Sequence, residues 1–355
     1  MSMFNSLLIL IVIMTIAIIG LLLFILLNHY LLWRREKVYQ QNKDEWEDTL
    51  YSYLADDISI DKAALKMKGD YYNLWRLLTP YLTNLKGDDR EKIVELVKEI
   101  GMTDYFLNIA RKSKRRKKRV SAISALGKIG EKRVSPFLKN MLNSKDTIEM
   151  TFAAKAIADI GETNLILPVF RRMLTDTYTT FEGITEIAVR FGEDICPPIK
   201  NIIQEWFDGK RDLEESFGVS IDQSLSLLVD ILGYYRYTVA GLQLEKILEK
   251  SDNSEVIIHV LKALSTMGYP VKISLNPFID HENWIIRSQA TKYIGKIKED
   301  TYKEKIKQLL DDENWWVRFY AAQALYNLGE VSYLESNSSF EDRKGEISRY
   351  ILSKA

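Results

Sequence analysis

The chain has one cysteine, Cys196, so no internal disulfide framework can form, and a lone thiol suits a reducing compartment. Histidine is nearly as scarce. Only His29, His259 and His281 occur, and no His-x-x-x-His, Cys-x-x-Cys, phosphate-binding glycine loop, dinucleotide glycine motif or nucleophile elbow is present. No catalytic residue, metal ligand or cofactor is therefore expected. Cys196, between an isoleucine and two prolines, reads as a buried or idle thiol. Net charge is also missing: 49 Lys+Arg face 49 Asp+Glu. That balance excludes a whole-protein field able to collect nucleic acid, so electrostatic binding must come from local asymmetry.

Charge is absent altogether before Arg34. Leu7 to Leu27 is apolar apart from Thr15 and Gly20, and as a helix it spans about 32 Å, close to the hydrocarbon core of a bilayer. A secretory signal would need a basic start, a shorter apolar run and a small-residue cleavage site, none of which is here. His29, Tyr30 and Trp33 form an interfacial belt, and Arg34, Arg35 and Lys37 follow at once. The positive-inside rule then places the N-terminus outside and the rest of the chain in the cytoplasm. The expectation is a single-pass plasma-membrane protein whose spanning helix covers about residues 7–27, extending at most to 32, within an N-terminal segment 1–33.

Residues 34–87 read as a juxtamembrane helix, with Val38, Trp46, Leu50, Tyr53 and Leu54 on one face, followed by a helix pair that caps what comes next. From 88 to 335 one template recurs: an apolar residue eight, five, four and one places before a closing residue. The closing positions are Gly101, Gly130, Gly161, Gly192, Gly233, Gly268, Lys298 and Gly329, spaced 29, 31, 31, 41, 35, 30 and 31 residues apart. Self-similarity at that period means a solenoid. Pro136, Pro168 and Pro197 or Pro198 recur at nearly one offset after the closing glycine, marking the first turn of a second helix in each unit. The surplus in the 41-residue interval falls around Asp208 to Ser220, expected to be a loop that either belongs to a binding face or is simply tolerated at the surface. Ser336 to Ser339 interrupts the pattern, and Glu346 to Leu352 reads as a last short helix in a C-terminal segment 336–355.

Val317 to Gly329, V-R-x-x-A-A-x-A-L-x-x-L-G, and Arg119 to Gly130, R-V-S-A-I-S-A-L-G-K-I-G, resemble the short HEAT repeats of bacteria, the type also seen in phycobilin-lyase-like proteins. The resemblance implies an all-α, right-handed α-solenoid of HEAT-like helix pairs, here preceded by a single transmembrane helix. Its usual role is to hold other macromolecules, although the architecture also hosts lyases and DNA-repair enzymes. Arginine stands eleven places before the closing residue at Arg90, Arg119, Arg287 and Arg318, and Asp280 and Asp311 precede the last two by seven. In similar proteins such residues tie neighbouring repeats in an Asp-Arg ladder. The acidic clusters Asp56-Asp57, Asp88-Asp89 and Asp311 to Glu313 read as helix caps.

Two features invite a binding role. Glu282 to Trp284 and Glu313 to Trp315 repeat the triplet E-N-W, and Trp284, Trp315 and Trp316 at helix starts form a candidate protein-binding edge, with packing between repeats the favoured alternative. The run Arg111, Lys112, Ser113, Lys114, Arg115, Arg116, Lys117, Lys118, Arg119 places like charges at a helix start, against the helix dipole. Anionic lipid and an acidic patch on a partner both suit it. Nucleic acid is not expected, because duplex-binding arrays spread basic surface along the stack. The reading is a non-enzymatic, membrane-anchored scaffold or regulatory adaptor for a protein at the membrane. A membrane polysaccharide synthase or similar glycosyltransferase is one class of partner. A HEAT-like lyase or other enzyme, and a nucleic-acid-binding HEAT-like protein, are the alternatives.

Overall fold

The computed structural model describes residues 3–354, and every regular element among them is helical. They fall into two compact units that divide between Glu131 and Lys132.

The first unit opens with one unbroken helix, α1 (Met3–Leu54). Its apolar residues from Leu10 to Trp33 are exposed. By length and composition, this helix can cross a membrane. Beyond Trp33 the same helix acquires a packed face. Tyr39, Trp46, Leu50 and Tyr53 are buried, at spacings that keep them on one side. Val38, expected on that face, points outward, because the seam runs through Tyr39 instead. The Arg76 guanidinium lies 4.1 Å from the Tyr39 ring centre and grips both oxygens of Glu36.

Arg76 belongs to α3 (Tyr71–Asn84), which follows α2 (Ile60–Met67), and both helices pack on α1. Leu74, Leu77, Leu78 and Leu82 make its core, while Leu65 and Tyr72 are solvent-exposed. Tyr71 and Trp75 lean on Tyr105 and Phe106, with ring centres 4.9 Å apart in both pairs. These two rings lie in α5 (Met102–Lys112), set between α4 (Asp88–Ile100) and α6 (Arg116–Ile129).

The second unit continues the helix pairs. Its first part comprises α7 (Ser135–Met141), α8 (Thr147–Ile160), α9 (Ile166–Leu174), α10 (Phe181–Phe191) and α11 (Cys196–Phe207). Then come α12 (Leu213–Phe217), α13 (Ile221–Tyr234), α14 (Gly241–Lys250) and α15 (Ser254–Met267). The chain ends with α16 (Asn276–Ile279), α17 (Trp284–Ile297), α18 (Lys303–Gln308), α19 (Trp315–Asn327), α20 (Val331–Ser338) and α21 (Arg343–Leu352). A single 3-10 turn leads into α9, α11, α14 and α18 alike, which gives the second helices a common entry.

The repeated apolar template is the core of both units. Ile93, Leu96, Val97 and Ile100 are buried, as are Ala122, Ala125, Leu126 and Ile129, and the later copies follow; only Ile297 and Leu328 are half-exposed. Each large aliphatic side chain so buried contributes about 1.5–3 kcal/mol. Seven of the eight closing residues have positive φ. Gly233 is the exception: it lies inside α13, where a Cβ would come within 2.8 Å of Ala263 Cβ. Its glycine serves close helix approach, and Arg236 takes the positive φ (51°) instead.

Lys298 ends α17 in the left-handed region, φ 57° and ψ 46°, where its sister copies use glycine. Lys298→Gly is expected to raise stability by about 1 kcal/mol, because relief of the left-handed strain exceeds glycine's entropic penalty. An unchanged or lower urea midpoint for the variant would show that the lysine sits there at no cost.

The interval around Asp208 to Ser220 is a packed element and no loose loop. It contains α12, whose Leu213 and Phe217 are fully buried between α9 and α13. Ser336 to Ser338 likewise fall inside a helix, α20, and the last helix begins at Arg343. Two serine side chains there bond back to carbonyls three residues earlier, Ser336 to Tyr333 and Ser338 to Glu335, so their polarity is absorbed within the helix.

Candidate functional site

The helices that carry the apolar template stand side by side: α8 with α10, α13 with α15, α15 with α17, and α17 with α19. Their starts explain two sequence signals. In both E-N-W triplets the asparagine is the N-cap: Asn283 Oδ1 accepts from the Ile285 N–H and Asn314 Oδ1 from the Trp316 N–H, both at 2.9 Å. The recurrent arginines hold the loop before their own helix. Arg119, Arg287 and Arg318 each donate to a carbonyl six residues back, those of Ser113, His281 and Asp312, all at 2.8 Å.

The expected aspartates are displaced by one or more places. Arg287 pairs with Asp312 of the next repeat through both oxygens, at 2.8 and 3.0 Å, while Asp280 pairs with Lys305 and Asp311 lies 3.5 Å from Lys344. The reason is the helix entry. Asp312 sits two residues before the cap and turns inward, leaving Asp311 exposed. Asp88 and Asp89 do lie in the first turn of α4, whereas Asp56 pairs with Lys92 at 2.6 Å.

The outward face of this helix row changes character along its length. Between α8 and α10 it is a neutral ladder: Lys155 with Glu186 at 2.8 Å and Arg190 with Asp159 at 2.9 Å. The hydrogen bond from Lys155 holds the Glu186 carboxyl below its ordinary pKa, so this pair's stabilisation is present above the unfolded value and is lost as pH falls through the lower folded one. Between α10 and α13 packing is looser than in those four pairs, and α12 lies against α9 and α13. A cavity of about 370 Å³ opens there. Ala188, Val189, Leu227, Ile231 and Ala263 give it apolar walls, and Tyr235 spans the gap by donating its hydroxyl to the Val189 carbonyl at 3.1 Å.

A second cavity of about 500 Å³ adjoins the first, with Arg236, Lys262 and Thr266 lining both. Lys292 and Lys296 complete its basic wall, and its lining holds no carboxylate. The four cations come from α15, α17 and the turn after α13. Lys292 also lies 5.3 Å from the Tyr320 ring centre, and Tyr320 stacks on Trp316. The face thus runs from a mainly apolar cavity through four cations to the half-buried Tyr320 and exposed Trp316.

Trp315 and Trp316 meet edge-on, with ring centres 4.9 Å apart, but differ in exposure. Trp284 and Trp316 are exposed, at 38% and 48%, whereas Trp315 stacks on Phe319 and meets Tyr350 of α21 edge-on. The basic run lies in the first unit and straddles the end of α5 and the start of α6. Lys112, Lys114, Arg115, Lys117 and Lys118 are exposed there, and Arg111, Arg116 and Arg119 each have an interaction partner.

His259 and Asp230, 29 residues apart and so nearly one repeat, meet at 2.7 Å beside the first cavity. Sequence order hides this pair, because Asp230 stands three and His259 nine places before their closing residues, so repeat register does not align them. His281 Nδ1 accepts the Asn283 N–H, a structural role. Cys196 is fully buried, and burial first, with Glu193 adding, pushes its thiol up to about 12. Among the described residues no group of three or more His, Cys, Asp or Glu is placed to hold a metal ion.

Residues 274–336 match the family model for HEAT repeats, and residues 118–144 match that for the PBS lyase HEAT-like repeat. Two stretches of the chain therefore carry HEAT-repeat sequence, in an all-α solenoid. Comparison with curated proteins gave no match. Among solved structures, an engineered protein from the Northeast Structural Genomics Consortium is 17% identical, covering 76% of this chain and 81% of its own, with a TM-score of 0.34. A second engineered protein from that consortium is 17% identical over 71% of this chain and 96% of its own, TM-score 0.25. The complex of CpcE and CpcF of phycocyanin lyase from Nostoc sp. PCC7120 is 16% identical over 71% and 94%, TM-score 0.23.

Proposed function

We propose that this HEAT-repeat protein is a non-enzymatic adaptor held at the cytoplasmic face of a membrane by α1, where it binds a protein partner. The observation that carries the reading is the continuity of α1. One helix holds both an exposed apolar length sufficient to cross a bilayer and a face built into the repeat unit, so the array is coupled to the membrane without a flexible linker. Such a tether raises effective concentration only for partners at the same surface. A membrane protein, for example a polysaccharide synthase or other glycosyltransferase, suits that geometry. The exposed part of the basic run adds attraction for an acidic partner or for anionic lipid, about 1 kcal/mol per side chain near a charged leaflet. An enzyme reading would rest on His259 and Asp230, and needs a third reacting group at that cavity wall.

The test is affinity capture of the full-length protein from gently solubilised membranes. The native chain is compared with one in which Lys112, Lys114, Arg115, Lys117 and Lys118 are changed to glutamine. One membrane protein recovered at near-stoichiometric yield with the native chain and lost from the variant is the expected result. Recovery of nothing by either chain rejects the adaptor. Flotation of both chains with vesicles containing phosphatidylserine separates a lipid contact from a protein one.

A further inference from the structure

We infer that the helix-row face of the second unit, from the cavity between α10 and α13 to Tyr320, binds a short acidic segment of a partner in extended form, with one large apolar side chain of that segment seated in the cavity. The inference deepens the adaptor reading and rests on it for the identity of the partner as protein.

Charge is the first argument. The chain is neutral as a whole, yet Arg236, Lys262, Lys292 and Lys296 converge on one cavity whose lining has no carboxylate. Elsewhere on this face cations and carboxylates alternate between neighbouring helices, as in Lys155 with Glu186 and Arg190 with Asp159. Four cations gathered without a counter-charge repel one another, and an anionic ligand relieves that repulsion. Arg236 adds to this: it holds a left-handed backbone, φ 51°, at the lip shared by both cavities. Strain of this kind persists where the surroundings impose it, and it collects at binding sites.

Spacing is the second argument. Lys262 and Lys292 occupy the same register in successive repeats, each six places before the closing residue. Neighbouring packed helices lie about 8–10 Å apart, which is the reach of about three residues of extended chain. Lys292 and Lys296 are one turn apart on α17. An extended peptide crossing α15 and α17 with acidic residues at such intervals meets each cation in turn.

Chemistry next to the cations decides for peptide over nucleic acid. The adjoining cavity has mainly apolar walls and room for a leucine or aromatic side chain, and the far end offers exposed Trp316 stacked on half-buried Tyr320. A polyanion continuing along the row would instead meet Asp230, then Glu186 and Asp159. The cations of that ladder are already matched by carboxylates and offer phosphates no net attraction, whereas a peptide can change sign or character within a few residues.

The experiment uses the full-length protein in detergent and fluorescence anisotropy with the labelled peptide Ac-GEDFEDEEG-NH2. Expected are saturable binding at low salt and a loss of affinity of about tenfold or more in Lys262→Glu/Lys292→Glu, both residues being exposed and able to change sign without loss of core packing. Replacing the peptide's phenylalanine by glycine is expected to weaken binding to the native chain by a further factor of about ten. The charge-reversed peptide, Ac-GKRFKRKKG-NH2, should prefer the variant to the native chain. Absence of peptide binding, or binding indifferent to the charge reversal, overturns the assignment. A labelled dT12 oligonucleotide bound more tightly than the peptide, with the same dependence on Lys262 and Lys292, overturns it in favour of nucleic acid. Failure of the peptide alongside successful capture from membranes removes this groove and leaves the adaptor; peptide binding without any membrane partner does the reverse.

Discussion

Replacing Gly295 by valine is expected to destabilise the last repeats by about 3 kcal/mol or more. Gly295 lies on α17 where it crosses α19. A Cβ there would fall 2.6 Å from Ala324 Cα and 2.7 Å from its Cβ, so backbone would have to move. The helix-propensity gain on leaving glycine, at most about 1 kcal/mol, does not offset that displacement. Gly268→Ala is the internal control: φ is 65° but nothing lies within 4 Å, so its cost comes from the backbone alone, about 1 kcal/mol. Urea unfolding followed by hydrogen exchange in α17 and α19 reads both. If Gly295→Val costs no more than the control, close approach of these helices is not what the glycine provides.

Arg287→Ala is expected to cost about 2–4 kcal/mol, because it strands a carboxylate rather than merely deleting a contact. Asp312 has a side chain only 8% exposed and takes two charged hydrogen bonds from Arg287, while the same guanidinium holds the His281 and Glu282 carbonyls. Removing Asp312 as well should recover part of the loss, since the unpaired buried charge then disappears. Lysine at 287 should rescue little, as it cannot reproduce the planar fork. In a stack stabilised by nearest-neighbour interfaces, the damage is expected to be local: α17 to α21 should lose exchange protection before the rest of the second unit. Protection that falls evenly across the unit would contradict an inter-repeat tie at this position.

These two expectations differ in how far they could be read from residue order. The arginine was legible, since it recurs eleven places before four closing residues, but its aspartate was not. Asp280 and Asp311 keep the tidier spacing, yet Asp312 is the one that turns inward beside the Asn314 cap. A register error of one residue decides which carboxylate faces the neighbouring repeat. Gly295 was invisible for a different reason. Its value lies in the surface of a second helix 29 residues on, and the template that found the core counts apolar positions only. Gly233 fits that template as a helix end, where the structure has a helix crossing.

The groove was scattered in the same way. Lys262 and Lys292 are ordinary exposed lysines in their own helices, and Arg236 follows a pair of tyrosines with nothing to mark it. They form one wall only because the helices stand in register. The run at 111–119, by contrast, is conspicuous in sequence, but three of its arginines have interaction partners. Contiguity along the chain is a poor guide to a surface made by repetition.

What residue order determined by itself was the helical class, the repeat and its period, seven of the eight closing residues, the buried side of most template helices and the apolar length of α1. Each of these follows from local periodicity, which the 3.6-residue helix converts directly into a face. Only the tertiary structure decided the partner of Arg287, the packing of α12, the looser packing between α10 and α13 and the convergence of four cations. Those depend on distances between residues one or more repeats apart, and such distances are set by how closely side chains allow helices to approach, a quantity that no spacing along the chain contains.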